Sequence, residues 1–174
     1  MEGETEAVDG SKVTVELMQM SDLDEVMELE QLCFTQPWTR GMFESDLRQS
    51  ELTYYIVARL KSRVIGYAGM WVAGGEAHIT TIAVHPDFRR KGIGSRLMRT
   101  LLEEALRRGA KWAVLEVRQS NKAAQQLYKK WGFKLAGIRR HYYSNPIEDA
   151  LIFKLPHIEE ALKTQSETVI NYKG

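Results

Sequence analysis

The chain has 174 residues, 44% apolar and 27% charged, with 24 Lys+Arg against 23 Asp+Glu and a formal charge of +1. That length supports a full hydrophobic core in one domain, and the charge balance argues against a dedicated nucleic-acid binder, which carries a basic excess. A single cysteine, Cys33, excludes an internal disulfide, and no apolar run approaches the roughly 20 residues of a membrane span.

In chain order, Met1 to Ser11 is polar, acidic and glycine-containing, which predicts a disordered tail rather than a secretion signal. With the reduced cysteine count, this points to the cytoplasm. "KVTVELMQM" then alternates, with Val13, Val15 and Leu17 on one face, as in a half-buried strand. Ser21 and Asp24 read as a capping box that opens a helix running to about Cys33. Pro37 in "FTQPWT" breaks it, and Thr39 can cap a second short helix carrying Met42, Phe43 and Leu47. From Leu52 the pattern turns to strand. "LTYYIVARL", "VIGYAGMWV" and "EAHITTIAV" are joined by turns at Lys61–Ser62 and Gly74–Gly75, which predicts an antiparallel meander. A helix with Leu97, Met98, Leu101, Leu102 and Ala105 on one stripe follows and stops near Gly109. "WAVLEV" has the apolar content of an inner strand. Asn121 can cap "KAAQQLYKKW", which Gly132 ends, and "FKLAGIRR" and "EDALIFKL" are the last strands. The order β α α β β β α β α β β defines a mixed α/β (α+β) domain over residues 12–157. A polar tail, 158–174, has room for one or two helical turns.

The stretch "HPDFRRKGIGSRLM" lies between a strand and a helix. Lys91 precedes Gly92 rather than following it, so the Walker loop fails. Leu97 stands where a dinucleotide fingerprint needs its third glycine. A solvated basic turn remains one reading. The other uses Gly92 and Gly94 to let backbone N–H groups approach a ligand, with a helix N-terminus behind them and Arg89, Arg90 and Lys91 in front: a pyrophosphate cradle.

Arg89-Arg90-Lys91-Gly92-Ile93-Gly94 resembles the Q/R-x-x-G-x-G/A signature of the GNAT N-acetyltransferases. "ITTIAVHPDFRRKGIGSRLM", "LEVRQSNKAAQQLYKKWGF" and "RRHYYSNPIEDALIF" together are similar to the RimI-type subgroup, which acetylates protein N-termini. The resemblance covers about Val13 to Leu155. It implies the GNAT fold, a central, mostly antiparallel sheet splayed between the fourth and fifth strands and flanked by four helices. It also implies acetyl-CoA as co-substrate. The pyrophosphate would lie on Arg89, Arg90, Lys91, Gly92, Ile93, Gly94 and Ser95, and the pantetheine arm along the backbone of Ile82, Ala83 and Val84.

Glu116 sits within "WAVLEV", where a carboxylate is costly unless paired or used. Strand parity places Trp112, Val114, Glu116 and Arg118 on one face, so a pair with Arg118 or another cation is one explanation. The resemblance supplies another: the Glu of "LEVR" is the general base, with burial raising its pKa. Tyr128 could be a core aromatic, yet it resembles the general acid that protonates the CoA thiolate. Asn121 could be a plain helix cap or the cofactor-contacting Asn of "SNxxA", or both. Trp38 and the Tyr142–Tyr143 pair either pack locally or flank the acceptor peptide. The four histidines show no metal spacing, so no metal is expected.

The function these residues imply is acetyl transfer to a protein N-terminus, in the RimI subgroup the N-terminal alanine of a small-subunit ribosomal protein. The alternatives are a broader N-terminal, lysine or small-amine acetyltransferase and, from other classes, a nucleic-acid or acetyl-CoA binding module. The basic stretch lacks the interleaved aromatics of a nucleic-acid platform, so stable nucleic-acid binding is not expected, nor is a membrane partner.

Overall fold

Period-two alternation makes the strands and one-sided apolar stripes make the helices. The computed structural model describes residues 12–173, with side chains through residue 167. The expected tail at 1–11 lies outside the described residues. The strands are β1 (Val13–Leu17), β2 (Thr53–Leu60), β3 (Arg63–Ala73), β4 (Glu76–Val84), β5 (Trp112–Arg118), β6 (Lys134–Tyr143) and β7 (Glu148–Leu155). The helices are α1 (Leu23–Cys33), α2 (Arg40–Arg48), α3 (Ile93–Arg107), α4 (Lys122–Lys130) and α5 (Ile158–Lys173). Five α-helices rather than four are present among the described residues, because α5 occupies the stretch read as a polar tail.

The strands form one mixed sheet in the order β1-β2-β3-β4-β5-β7-β6. Pairing is antiparallel for β1–β2, β2–β3, β5–β7 and β6–β7. It is parallel for β4–β5, as the long crossover through α3 requires. The parallel register runs only from Glu76↔Trp112 to His78↔Val114, whereas β5 pairs with β7 as far as Arg118. The ladder between the fourth and fifth strands therefore stops early.

By contacts the chain separates into two compact units, neither a continuous segment. One takes in the chain up to Trp71 together with Thr81–Leu101, the other Val72–Thr80 and the chain from Leu102 onward. The division falls inside β3, β4 and α3 rather than at a linker.

In the first unit, Leu23, Val26 and Leu29 of α1 and Phe43 of α2 are buried with Tyr55, Val57, Val64, Tyr67 and Ala83 of the strands. Phe43 meets Tyr55 and Tyr67 edge-on, at 6.2 and 5.9 Å between centroids, the geometry the ring quadrupoles favour. Thr39 caps α2 as its sequence suggests, accepting the Met42 N–H at 3.3 Å. The entry to α1 differs from the Ser21–Asp24 box. A 3-10 turn, Met20–Asp22, precedes the helix, and Asp22 is the acid that accepts the Gln19 N–H at 2.8 Å. Asp22 also holds Arg59 at 2.9 Å, whereas Asp24 makes an exposed pair with Arg40.

In the second unit, Gly74 and Gly75 make the β3–β4 hairpin, with φ of +60° and +82°. A tight two-residue turn of this hand needs positive φ at both positions. Strand β5 buries Ala113, Leu115 and Val117 and leaves its other face half-open. It is thus not buried on both faces, and Glu116 lies on the half-open one. Helix α4 buries Gln125 and Tyr128, and Gly132 (φ +99°) turns the chain into β6.

Two glycines of the first unit should respond oppositely to a methyl group. Gly69 pairs with Tyr55, and a Cβ there would overlap the Tyr55 ring. That ring is 3% exposed and its hydroxyl donates to Asp46 at 2.5 Å, so it has nowhere to go. Gly69→Ala should cost about 1–3 kcal/mol in urea unfolding, as overpacking does. Gly41→Ala, in the exposed run of α2 with nothing nearer than 3.9 Å, should stabilise by up to about 1 kcal/mol.

Candidate active site

The basic loop belongs to the first unit. Strand β4 ends at Val84, a 3-10 turn spans Pro86–Phe88, and α3 begins at Ile93. The first helical bond runs from the Arg96 N–H to the Gly92 carbonyl at 3.1 Å. The N–H groups of Ile93 and Gly94 therefore project from the end of the helix, where its dipole favours an anion. Arg90 and Gly92 are left-handed, with φ of +64° and +78°, a conformation from which concave N–H cradles are built. A Cβ at Gly92 would meet nothing within 4 Å, so its glycine answers to backbone conformation and not to packing.

The loop's side chains do not all face the same task. Arg90 and Lys91 are exposed. Arg89 is tied down: its Nε donates to the Val84 carbonyl at 3.1 Å and its guanidinium lies 3.8 Å from the Cys33 sulfur. The Ile93 side chain is buried in the core, which leaves only its backbone for a ligand, and Ser95 is half-buried. Ala83 is buried, whereas Ile82 and Val84 are half-buried. Trp38, in the same unit, packs on Phe43 at 5.2 Å, and its backbone N–H donates to Glu30 at 2.8 Å. Glu30 itself is 1% exposed, and its other oxygen accepts the Tyr67 hydroxyl at 2.5 Å. Burial raises the Glu30 pKa against the pull of those two donors.

The second unit holds Glu116, Asn121, Tyr128, Tyr142 and Tyr143. Glu116 is hydrogen-bonded to His78 of β4, with Nε2 to Oε2 at 2.7 Å, and it also feels the Arg139 charge. The register that sets His78 opposite Val114 puts its ring one pleat from Glu116 on the same face. This overturns the expected pKa. The His78 hydrogen bond, outweighing desolvation, holds Glu116 below the ordinary carboxylate value. Glu116 is thus ionised throughout the neutral range and is a weaker base than a buried carboxylate would be.

Tyr128 is 6% exposed and its ring packs at 5.9 Å from Phe133 and 6.4 Å from Phe153. Burial, and secondarily Tyr143, raises its pKa, so it remains a neutral O–H donor at any physiological pH. Burial likewise pushes Tyr143 up to about 12, with Tyr142 and the Glu116 charge adding to the shift. Glu116, Tyr143 and Tyr128 thus sense one another in series. Tyr142 is 51% exposed and stands edge-on to Tyr143, at 5.0 Å between centroids. Asn121 does cap α4, accepting the Ala124 N–H at 3.2 Å.

Two groups here escape sequence reasoning. His78 shares a face with Glu76 and Thr80, which alternation shows, but only the parallel register brings it to Glu116. Glu30 reads as one more polar residue of an amphipathic helix. Its position one turn before "FTQPWT" is the sole hint that it holds that loop.

Residues 23–133 match the model of the acetyltransferase (GNAT) family. The chain is 35% identical over 145 residues to the ribosomal protein bS18-alanine N-acetyltransferase of Escherichia coli K12, covering 82% of this chain and 97% of that one. It is 38% identical over 141 residues to the N-alpha-acetyltransferase RimI of Mycobacterium tuberculosis, with 78% and 87% covered. The crystal structure of the ribosomal-protein-S18-alanine N-acetyltransferase from Escherichia coli superposes with a TM-score of 0.76 at 35% identity, over 83% of this chain and 94% of that one. Ard1 from Thermoplasma volcanium gives 0.77 at 27% identity, over 83% and 97%. The chain belongs to the acetyltransferase (GNAT) family and is an acetyl-CoA-dependent acetyltransferase. Among the described residues, no helix is long and apolar enough to cross a membrane, and no group of three His, Cys, Asp or Glu side chains is placed to hold a metal ion.

The His78–Glu116 bond has a sign that can be checked. Because folding lowers the Glu116 pKa, the stability it supplies is fully present above the unfolded value of about 4.3 and is lost as pH falls through the folded value. His78→Ala should move the Glu116 carboxyl pKa upward in a carbon-13 NMR titration, and the variant's acid unfolding should begin at higher pH.

Proposed function

We propose that this enzyme acetylates the α-amine of a protein N-terminus, and that its acceptor is the N-terminal alanine of a small-subunit ribosomal protein, as in its named relatives. The observation that carries the choice of amine is the 2.7 Å hydrogen bond from His78 to Glu116, which lowers the basicity of the carboxylate. An α-amine has a pKa of about 7.7–8.0, so roughly one in ten is already neutral at pH 7. A lysine, at about 10.4, is neutral in fewer than about one in a thousand, and a carboxylate below its ordinary pKa is poorly suited to strip it. A ribosomal acceptor would place the reaction in the cytoplasm.

The steps balance as follows. The neutral amine nitrogen attacks the thioester carbon, and the amine turns strongly acidic as the C–N bond forms. Its surplus proton passes through a water to Glu116. Backbone N–H at the end of β4 polarises the carbonyl oxygen as negative charge develops. The C–S bond then breaks, the Tyr128 hydroxyl gives its proton to the departing thiolate, and Tyr128 regains a proton from water as Glu116 releases the one it took. Acetyl-CoA fits the residues present. The N–H groups of Ile93 and Gly94, with the left-handed Gly92, take the pyrophosphate, and Arg90 and Lys91 add charge. The half-buried end of Ser95 and the cap at Asn121 border the cofactor. Arg89 contributes by bracing the loop against Val84. Ile82, Ala83 and Val84 offer backbone to the pantetheine arm, and Trp38, Tyr142 and Tyr143 flank the peptide.

Steady-state kinetics on a hexapeptide with N-terminal alanine test the roles separately. Glu116→Gln and Tyr128→Phe should each lower kcat by about 10²–10⁴-fold with the acetyl-CoA KM little changed. Gly94→Val should instead raise the acetyl-CoA KM. The wild-type rate should climb with pH along the titration of the α-amine rather than that of a carboxylate. A hexapeptide panel varied at position one decides the acceptor. Turnover of alanine-first peptides alone supports the ribosomal assignment, and equal turnover of all of them points to a general N-terminal enzyme.

A further inference from the structure

Arg118 stands two residues beyond Glu116 on the same face of β5. Its side chain is 17% exposed and reaches the β6–β7 hairpin. Nη1 donates to the Pro146 carbonyl at 3.4 Å and to Glu148 Oε1 at 3.3 Å. Nη2 donates to the Ser144 carbonyl at 3.3 Å. The guanidinium plane also covers the Tyr143 ring, with Cζ 4.3 Å from its centroid. Four consecutive features of one loop, a ring, two carbonyls and a carboxylate, thus converge on one planar cation. Glu148 extends the tie: its second oxygen accepts the Ser120 N–H at 2.5 Å, next to the α4 cap Asn121. The main chain of Arg118 completes it, since its carbonyl accepts from the Asn121 N–H at 3.0 Å and from Gln125 at 3.2 Å.

The three guanidinium bonds, at 3.3–3.4 Å, are long, so their worth lies in number and direction. A guanidinium presents five N–H donors in a fixed plane and stacks on an aromatic face, and an ammonium can do neither. The site is shaped for arginine rather than for positive charge alone. What it fixes is the end of β6 at Tyr143 and the Ser144–Ile147 connection, the segment whose ring feels the Glu116 charge.

We infer that Arg118 is a positioning residue for the acceptor: it clamps the Tyr142–Pro146 segment against the end of β5 and so sets the peptide side of the site. The inference rests on the proposed reading that this loop flanks the acceptor. Arg118 touches neither reacting atom and moves no proton. Its removal should loosen the peptide subsite and leave acetyl-CoA binding intact.

Two readouts on the full chain test it. The first is hydrogen–deuterium exchange of residues 140–148 without substrates, where Arg118→Gln and Arg118→Lys should both exchange faster than wild type while the core strands stay protected. The second is kinetics. Both variants should raise the peptide KM by about tenfold, the scale of losing hydrogen bonds to a charged group, with the acetyl-CoA KM unchanged. Unchanged exchange in 140–148 would overturn the clamp itself. Full rescue of the peptide KM by Arg118→Lys would overturn the claim that planar geometry is what matters. A parallel rise in both KM values with a lower Tm would reduce Arg118 to a structural residue. If wild type acetylates no N-terminal peptide, the proposed function fails, and the exchange result still decides the clamp.

Discussion

The parallel pairing of β4 and β5 lasts three residue pairs and then stops, and the proposed chemistry depends on where it stops. A backbone N–H or carbonyl that leaves a ladder needs another partner, so a strand pair that parts invites a guest with amide groups of its own. A pantetheine arm is such a guest. The last shared pair is His78 with Val114, and Glu116 is the next residue of β5 on that face. The proposed base therefore sits at the point where protein pairing gives way. One more turn of parallel ladder would cover the strand edge on which the proposed reaction relies.

The same three pairs set the electrostatics. They bring His78 within 2.7 Å of Glu116, and that bond, rather than burial, decides the carboxylate's basicity. A weak base suits an amine that is partly neutral in water and fails one that is not. Nearby, two tyrosines remain protonated because burial disfavours their anions. The proposed proton path would be laid out by environment: an acceptor ionised early on one side, donors that hold their protons on the other.

Much of this was legible in the sequence, and the gaps share a cause. Element order followed from alternation in "EAHITTIAV", from the Gly74–Gly75 turn and from the caps at Thr39 and Asn121, all of which are local. Glu116 and Tyr128 stood out through family resemblance, with strand parity adding the face. The His78 partnership was not legible, because it depends on register between segments 38 residues apart in sequence. The raised pKa expected for Glu116 failed for that reason, and also because β5 is buried on one face only. Arg118 was visible as a cation on the right face, but its loop acceptors are backbone carbonyls, which no residue pattern advertises. The Ser21–Asp24 box lost to Asp22, which can cap the turn and meet Arg59 at once. The last helix has a mixed surface whose apolar anchors, Ile158 and Ala161, are too few to stand out.

Glu30 carries a consequence of a different kind. Its two oxygens are each engaged, one by the Tyr67 hydroxyl and one by the backbone of Trp38. Replacing Glu30 alone by an apolar residue takes the carboxylate acceptor from a buried phenol and leaves it the Thr81 side chain, and replacing Tyr67 alone by phenylalanine strands a buried carboxylate oxygen. Positions 30 and 67 are therefore locked as a pair on any mutational path: each single step is penalised, although a simultaneous change to well-packed apolar residues need not be. Because the third member is a main-chain N–H, no substitution at Trp38 except proline removes it. Drift in this enzyme should be quick on the exposed face of α1 and nearly frozen at that one internal site.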